Sequence, residues 1–251
     1  MMKNKLAMLG MLASLSVGAN VQADTVLGAT ISVDAWDMDS SGSIADNSDL
    51  QKFDLGSETP ASFSLALEHP IPLIPNLKMR ITDLSSSGDS TLTQNFTFDG
   101  VTYPVSTNVD VNFDLKSSDF VFYYELFDND LVSFDLGLNA KYLDGDLSVS
   151  DGTQRTSRSF KGVVPMLYGA VTVGIPATSF SLFGDFNFLS VGDHTLRDFQ
   201  AGAAYALVES PAVDFSVRGG YRQFSLELDD LDGIYADWTY DGLFLGVEAD
   251  F

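Results

Sequence analysis

No cysteine occurs anywhere in the chain, which excludes a disulfide framework and any thiolate metal site. Basic residues are scarce: 13 lysines and arginines face 35 aspartates and glutamates, for a formal net charge of −22. A surface that acidic repels nucleic acid, so that partner class is excluded. Histidine is nearly absent too, with His69 and His194 alone available for acid–base work near neutral pH. No phosphate-binding loop, dinucleotide fingerprint or Cys/His cluster is present, and nothing points to a bound cofactor. Beyond residue 23, no apolar run is long enough to cross a membrane as a helix, which needs about 20 residues.

What is present starts at the N-terminus. Lys3 and Lys5 precede an apolar run, Leu6 to Val17, which ends at Val21-Gln22-Ala23. This is the layout of a cleaved secretory signal peptide, residues 1–23, with residues 24–251 as the exported domain.

The exported part alternates. In SFDLGLNAKYL (133–143), Phe134, Leu136, Leu138, Ala140 and Tyr142 share one face, opposite Asp135, Asn139 and Lys141. A period of two marks a strand with one apolar and one polar face. The pattern recurs in 26–36, 61–68, 180–188, 198–207 and 243–251. Short connections at 69–76, 128–130, 174–179 and 208–214 alternate with longer polar stretches near 38–59, 86–107, 148–159, 190–195 and 229–236. That rhythm predicts an all-β fold: a transmembrane antiparallel β-barrel of ten strands in a bacterial outer membrane, with tight periplasmic turns and longer outer loops. One strand, 108–127, changes phase. Its apolar residues are odd-numbered up to Leu115 and even-numbered from Phe120, which reads as a β-bulge at Lys116–Asp119. Were this two strands, the total would change, and eight or twelve strands remain alternatives.

Strand phase turns the polar faces inward. Candidate lumen-lining residues are Asp34, Glu68, Lys78, Arg80, Asp135, Lys141, Asp185, Asp198, Arg218, Arg222 and Glu248. The apolar faces turn to lipid, with Phe134, Phe180, Tyr205, Phe215 and Phe251 as an interfacial aromatic girdle. The last strand carries Leu243, Leu245, Val247, Ala249 and a terminal Phe251, a pattern resembling the signal read by the outer-membrane barrel assembly machinery.

The stretches EHPIPLIPN (68–76), YYELFDNDLVSFDLGLNAKY (123–142), GVVPMLYGAVTVGIP (162–176) and LELDDLDGIYADW (226–238) resemble a family of small outer-membrane β-barrel proteins of Gram-negative bacteria. The resemblance implies location and fold. It carries no substrate, reaction or functional residue.

Three functions fit this sequence. The first is a narrow porin-like pore for small solutes, or a structural barrel with a charged lumen. The second is a surface interaction or adhesion barrel, whose acidic loops bind divalent cations that bridge to lipopolysaccharide. DMDSSGSIADNSD (37–49) bears on this, because Asp37, Asp39 and Ser41 copy the opening of an EF-hand calcium loop. The copy lacks its closing glutamate: the twelfth position is Ser48, and the flanks alternate as strands, so the stretch is expected to be the first outer loop. The third is an outer-membrane hydrolase using His194, beside Asp193 and four residues before Asp198. Outer-membrane lipid, lipopolysaccharide and the assembly machinery are the expected partners.

Overall fold

The structure is a computed structural model that describes residues 27–45, 50–71, 73–129, 131–231 and 234–251. The expected signal peptide lies outside the described residues. Fourteen strands follow one another: β1 (Gly28–Ala45), β2 (Gln51–Glu58), β3 (Ala61–Glu68), β4 (Asn76–Asp83), β5 (Ser86–Thr91), β6 (Phe96–Phe98), β7 (Val101–Tyr103), β8 (Asn108–Asp128), β9 (Val132–Ser150), β10 (Arg155–Gly174), β11 (Phe180–Val191), β12 (His194–Val208), β13 (Asp214–Leu231) and β14 (Ile234–Asp250).

Twelve of them form one antiparallel sheet, and the pairing of β14 with β1 closes it. The barrel wall has ten staves, because two staves are interrupted. β2 and β3 both pair with β1 and are parted at Thr59-Pro60, where proline supplies no N–H. β4 and β5 both pair with β8 and are parted at Leu84-Ser85. The closing seam runs to the last residue, where the Phe251 and Ala29 backbones exchange hydrogen bonds of 2.9 and 3.2 Å. Strands β6 and β7 form a separate hairpin.

The short turns are held by their own side chains. Asn129 Oδ1 accepts the N–H groups of Leu131 and Val132, and Ser210 Oγ accepts that of Val213. At the opposite end, the long polar stretches are largely strand. β1 runs on to Ala45, β9 to Ser150 and β13 to Leu231. The first outer loop expected over 37–49 is therefore the end of β1 up to Ala45, paired residue by residue with β14.

The phase change in β8 has a different cause from the expected bulge. β8 pairs with β9 without a break from Asp110 to Glu125, and its irregularity lies between Glu125 and Phe127. Val109, Val111, Phe113, Leu115, Ser117, Asp119, Val121 and Tyr123 all point inward and are buried. The backbone keeps its register while the chemistry of its two faces is exchanged. Toward the short turns the outward face is apolar (Phe120, Phe122, Tyr124), and toward the long hairpins it is polar (Asn108, Asp110, Asp114, Lys116).

The exchange recurs around the barrel. Outward residues pass from Ala35 to Asp37 on β1, Tyr142 to Asp144 on β9, Tyr221 to Gln223 on β13 and Leu243 to Asp241 on β14. The β13 and β14 sites align, since Tyr221 faces Leu243 and Gln223 faces Asp241, and β1 switches one pair nearer the short turns, where Asp37 faces Leu243. The outward apolar band, Phe134–Tyr142 on β9, is about nine residues tall. At about 3.3 Å per residue and a tilt of about 40°, it spans about 23 Å, close to the outward apolar band of about 25 Å in outer-membrane barrels.

Candidate functional site

The inward faces of the staves fill the lumen with two layers. Level with the outward apolar band lies a layer of ions. Lys141 is fully buried, with its ammonium 2.8 Å from Asp119 and 2.9 Å from Asp198, and it also donates to Ser117 Oγ. Arg222 grips the same Asp198 with two nitrogens at 3.1 and 3.0 Å and reaches Thr82 across the lumen. Arg80 makes a second two-pronged pair, 3.3 and 2.9 Å from Asp185, whose oxygens also accept from Lys78 and Gln200. Arg218 pairs with Asp34 at 3.3 Å and with Glu248. Asn139 ties Asp119 to Asn187. Such two-pronged guanidinium–carboxylate pairs fix both charge and orientation.

Toward the long hairpins, the same lumen is apolar. Trp36, Met38, Phe53, Leu55, Phe113, Leu147, Phe224 and Trp238 pack there, and the β6–β7 hairpin inserts Phe96, Phe98 and Tyr103 into the cluster. Phe96 stands edge-on to Phe53 at 5.4 Å, and the Tyr103 hydroxyl donates to the Val149 carbonyl. Aromatic faces join the two layers. Arg222 lies over Trp36 at 4.8 Å, and Lys141 over Phe224 at 5.4 Å. Such contacts are worth up to about 2 kcal/mol where desolvated.

At the short-turn end, a cavity of about 360 Å³ lies below the ion layer. Glu68, Asp135, Glu248 and Asp250 line it with Tyr123 and Tyr168. The Tyr123 hydroxyl donates to Glu68, and that of Thr30 to Asp250.

Nine of the eleven residues proposed for the lumen meet in the ion layer, while Glu68 and Asp135 stand in the cavity. The candidate list missed Asp119 and left out three uncharged partners, Asn139, Asn187 and Gln200, of which Asn139 already stood on the polar face of 133–143. Asp119 was recoverable: it shares the parity of Val121 and Tyr123, opposite the outward Phe120 and Phe122.

The remaining candidates lie elsewhere. Asp37, Asp39 and Ser41 fall on the outward face of β1, where alternate residues stand about 7 Å apart along an extended chain, unlike the converging ligands of a calcium loop. Asp39 accepts from Ser57 instead. Ser48 lies outside the described residues. No group of three or more His, Cys, Asp or Glu side chains poised for a metal occurs among the described residues. His194 caps the β11–β12 turn, where its Nδ1 accepts the Asp229 N–H at 3.2 Å. Asp198 is held away from it by Lys141 and Arg222.

No family model and no curated protein sequence matches the chain. Solved structures do. The outer membrane protease OmpT from Escherichia coli aligns over 92% of this chain and 99% of its own, at 12% identity and a TM-score of 0.53. The transport unit of the autotransporter AIDA-I from Escherichia coli aligns over 93% of each chain, at 11% identity and a TM-score of 0.40. The toluene transporter TodX from P. putida covers 91% of this chain and 90% of its own, at 8% identity and a TM-score of 0.34. The likeness to OmpT is one of fold, that of an outer-membrane β-barrel.

Proposed function

We propose that the protein is an integral outer-membrane barrel with a sealed lumen, a structural barrel rather than a pore. The apolar band lies in lipid, the short turns face the periplasm, and the long hairpins rise outside, above the lipopolysaccharide. β14 and Phe251 would meet the assembly machinery at the closing seam. The observation that carries this reading is the filling of the lumen: a buried, mutually paired ion layer beneath a packed aromatic core. Opening a path means unpairing buried charges, each break costing about 3–5 kcal/mol, and then breaching an apolar core. Reconstitution into a planar bilayer tests this, with heat-modifiable gel migration to verify that the inserted barrel is folded. No conductance above the bare membrane is expected. Stepwise channels carrying small ions would return the porin-like alternative.

A further inference from the structure

The cavity at the short-turn end holds two adjacent donors with hydrogens to spare beside a carboxylate with no partner, and we propose that it binds a small zwitterion, a free α-amino acid entering past the short turns. The donors are Lys78 and Tyr168, both in the cavity wall, with Lys78 Nζ 3.4 Å from Tyr168 Oη. Tyr168 is 2% exposed, and its hydroxyl accepts from Lys78, so its own proton finds no acceptor among the described residues. Lys78 is loosely held. Its ammonium carries three hydrogens and makes two contacts, to Tyr168 and to Asp185, both at 3.4 Å. Asp185 is already served by Arg80 at 3.3 and 2.9 Å and by Gln200 at 2.8 Å. One unspent O–H and one unspent N–H therefore lie side by side. A buried donor without an acceptor is costly, and a carboxylate answers both donors at once.

The opposite charge stands next to them. Asp135 is half-buried, lines the same cavity, and receives no hydrogen bond or ion pair from any described residue. It sits opposite Ala170, two residues from Tyr168 on the same inward face. Diagonal neighbours of this kind are about 7–8 Å apart. An ammonium on Asp135 and a carboxylate on Lys78 and Tyr168 therefore belong to one short molecule.

Other occupants fit less well. No group of three or more His, Cys, Asp or Glu side chains is poised for a metal among the described residues, so a bare divalent cation finds no cage. The staves are paired at this level, so a lipid headgroup has no way in from the side. The volume of about 360 Å³ suits a small molecule. Glu68 and Asp250 also line the cavity, where each accepts a hydroxyl and neither is paired with a base among the described residues. They favour a second ammonium and repel a second carboxylate, so lysine should bind more tightly than alanine, and glutamate more weakly. The inference does not rest on the sealed lumen above, because binding and bilayer conductance are measured separately.

The test is isothermal titration calorimetry of the full barrel in detergent micelles. Alanine is expected to bind at least about ten-fold more tightly than alaninamide, which lacks the carboxylate, and than N-acetylalanine, which lacks the ammonium. That comparison needs no variant to fold. Tyr168→Phe keeps the ring and removes the hydroxyl, and it should shrink the advantage of alanine over alaninamide while leaving its advantage over N-acetylalanine. Asp135→Asn breaks no native pair and should do the reverse. Heat-modifiable migration verifies that both variants are folded. Equal binding of alanine and its two analogues, advantages that survive both substitutions, or no saturable alanine binding at tens of millimolar would overturn the proposal. Tighter binding of 1,4-diaminobutane than of lysine would overturn it as well, in favour of plain cation capture by the acids.

Discussion

Lys141 and Leu143 stand two residues apart on β9 and point into the same lumen, yet they meet opposite surroundings. Lys141 is held by Asp119 and Asp198, while Leu143 packs among aromatic and aliphatic side chains. The outward neighbours switch at the same step, from Tyr142 to Asp144. Below the step the barrel is built like a membrane protein, apolar outside and polar inside. Above it, the same strands are built like a soluble barrel. One ladder of hydrogen bonds serves both solvents, because the backbone is satisfied within the sheet in either case. Only the side chains have to answer to what lies outside.

This contrast can be broken one layer at a time. The largest effect is expected for Lys141→Met, which leaves Asp119 and Asp198 buried with too little positive charge. Unfolding by urea in lipid vesicles should show a loss of about 3–5 kcal/mol. Leu147→Ala removes packing from the upper layer without stranding a charge, and about 3 kcal/mol is expected in the same assay. On the outer face the comparison becomes a pair. Leu138→Arg, within the apolar band, should cost about 2–4 kcal/mol, while Asp146→Arg, above it, should stay within about 0.5 kcal/mol. Equal costs for the two would mean that the band and its extension face the same solvent. The smallest effect lies in the turn beyond β9. There the Thr153 hydroxyl and the N–H groups of Thr153 and Gln154 hold the Asp151 carboxyl below its ordinary value of 3.8. A depressed value means that the charged form supports the turn and that this support is lost as pH falls through the folded-state value. Amide exchange at Thr153 and Gln154, corrected for the intrinsic pH dependence, should rise on acidification below that point.

The membrane-spanning half was legible because its outward residues are apolar at every second position, as in Phe134 to Tyr142, and its short turns carry Pro, Asn and Ser. The number of staves followed from that rhythm. The upper half was misread for a physical reason. Asp37, Asp39, Asp144 and Asp146 alternate with Trp36, Met38, Leu143 and Leu147, which is also a period of two. Alternation tells that a strand has two faces but not which solvent each face meets. With the polar stretches 38–59, 86–107 and 148–159 taken as loop, the outer part of β1, all of β2 and all of β5 were read as connections. The phase change in β8 was the one visible trace of the inversion, and read as a bulge it also hid Asp119. The pairing of the ions was beyond sequence, because Lys141, Asp198 and Arg222 converge from three strands.

Because the chain has no cysteine, single cysteines can report the inversion without background. The most direct measurement is labelling by a membrane-impermeant maleimide along β9 in lipid vesicles, at Leu136→Cys, Leu138→Cys, Asp144→Cys and Asp146→Cys. The first two should stay unlabelled and the last two should react fully, with the change falling at Tyr142. Reaction at all four positions, or protection extending through Asp146, would contradict a barrel that exchanges its faces at the membrane surface.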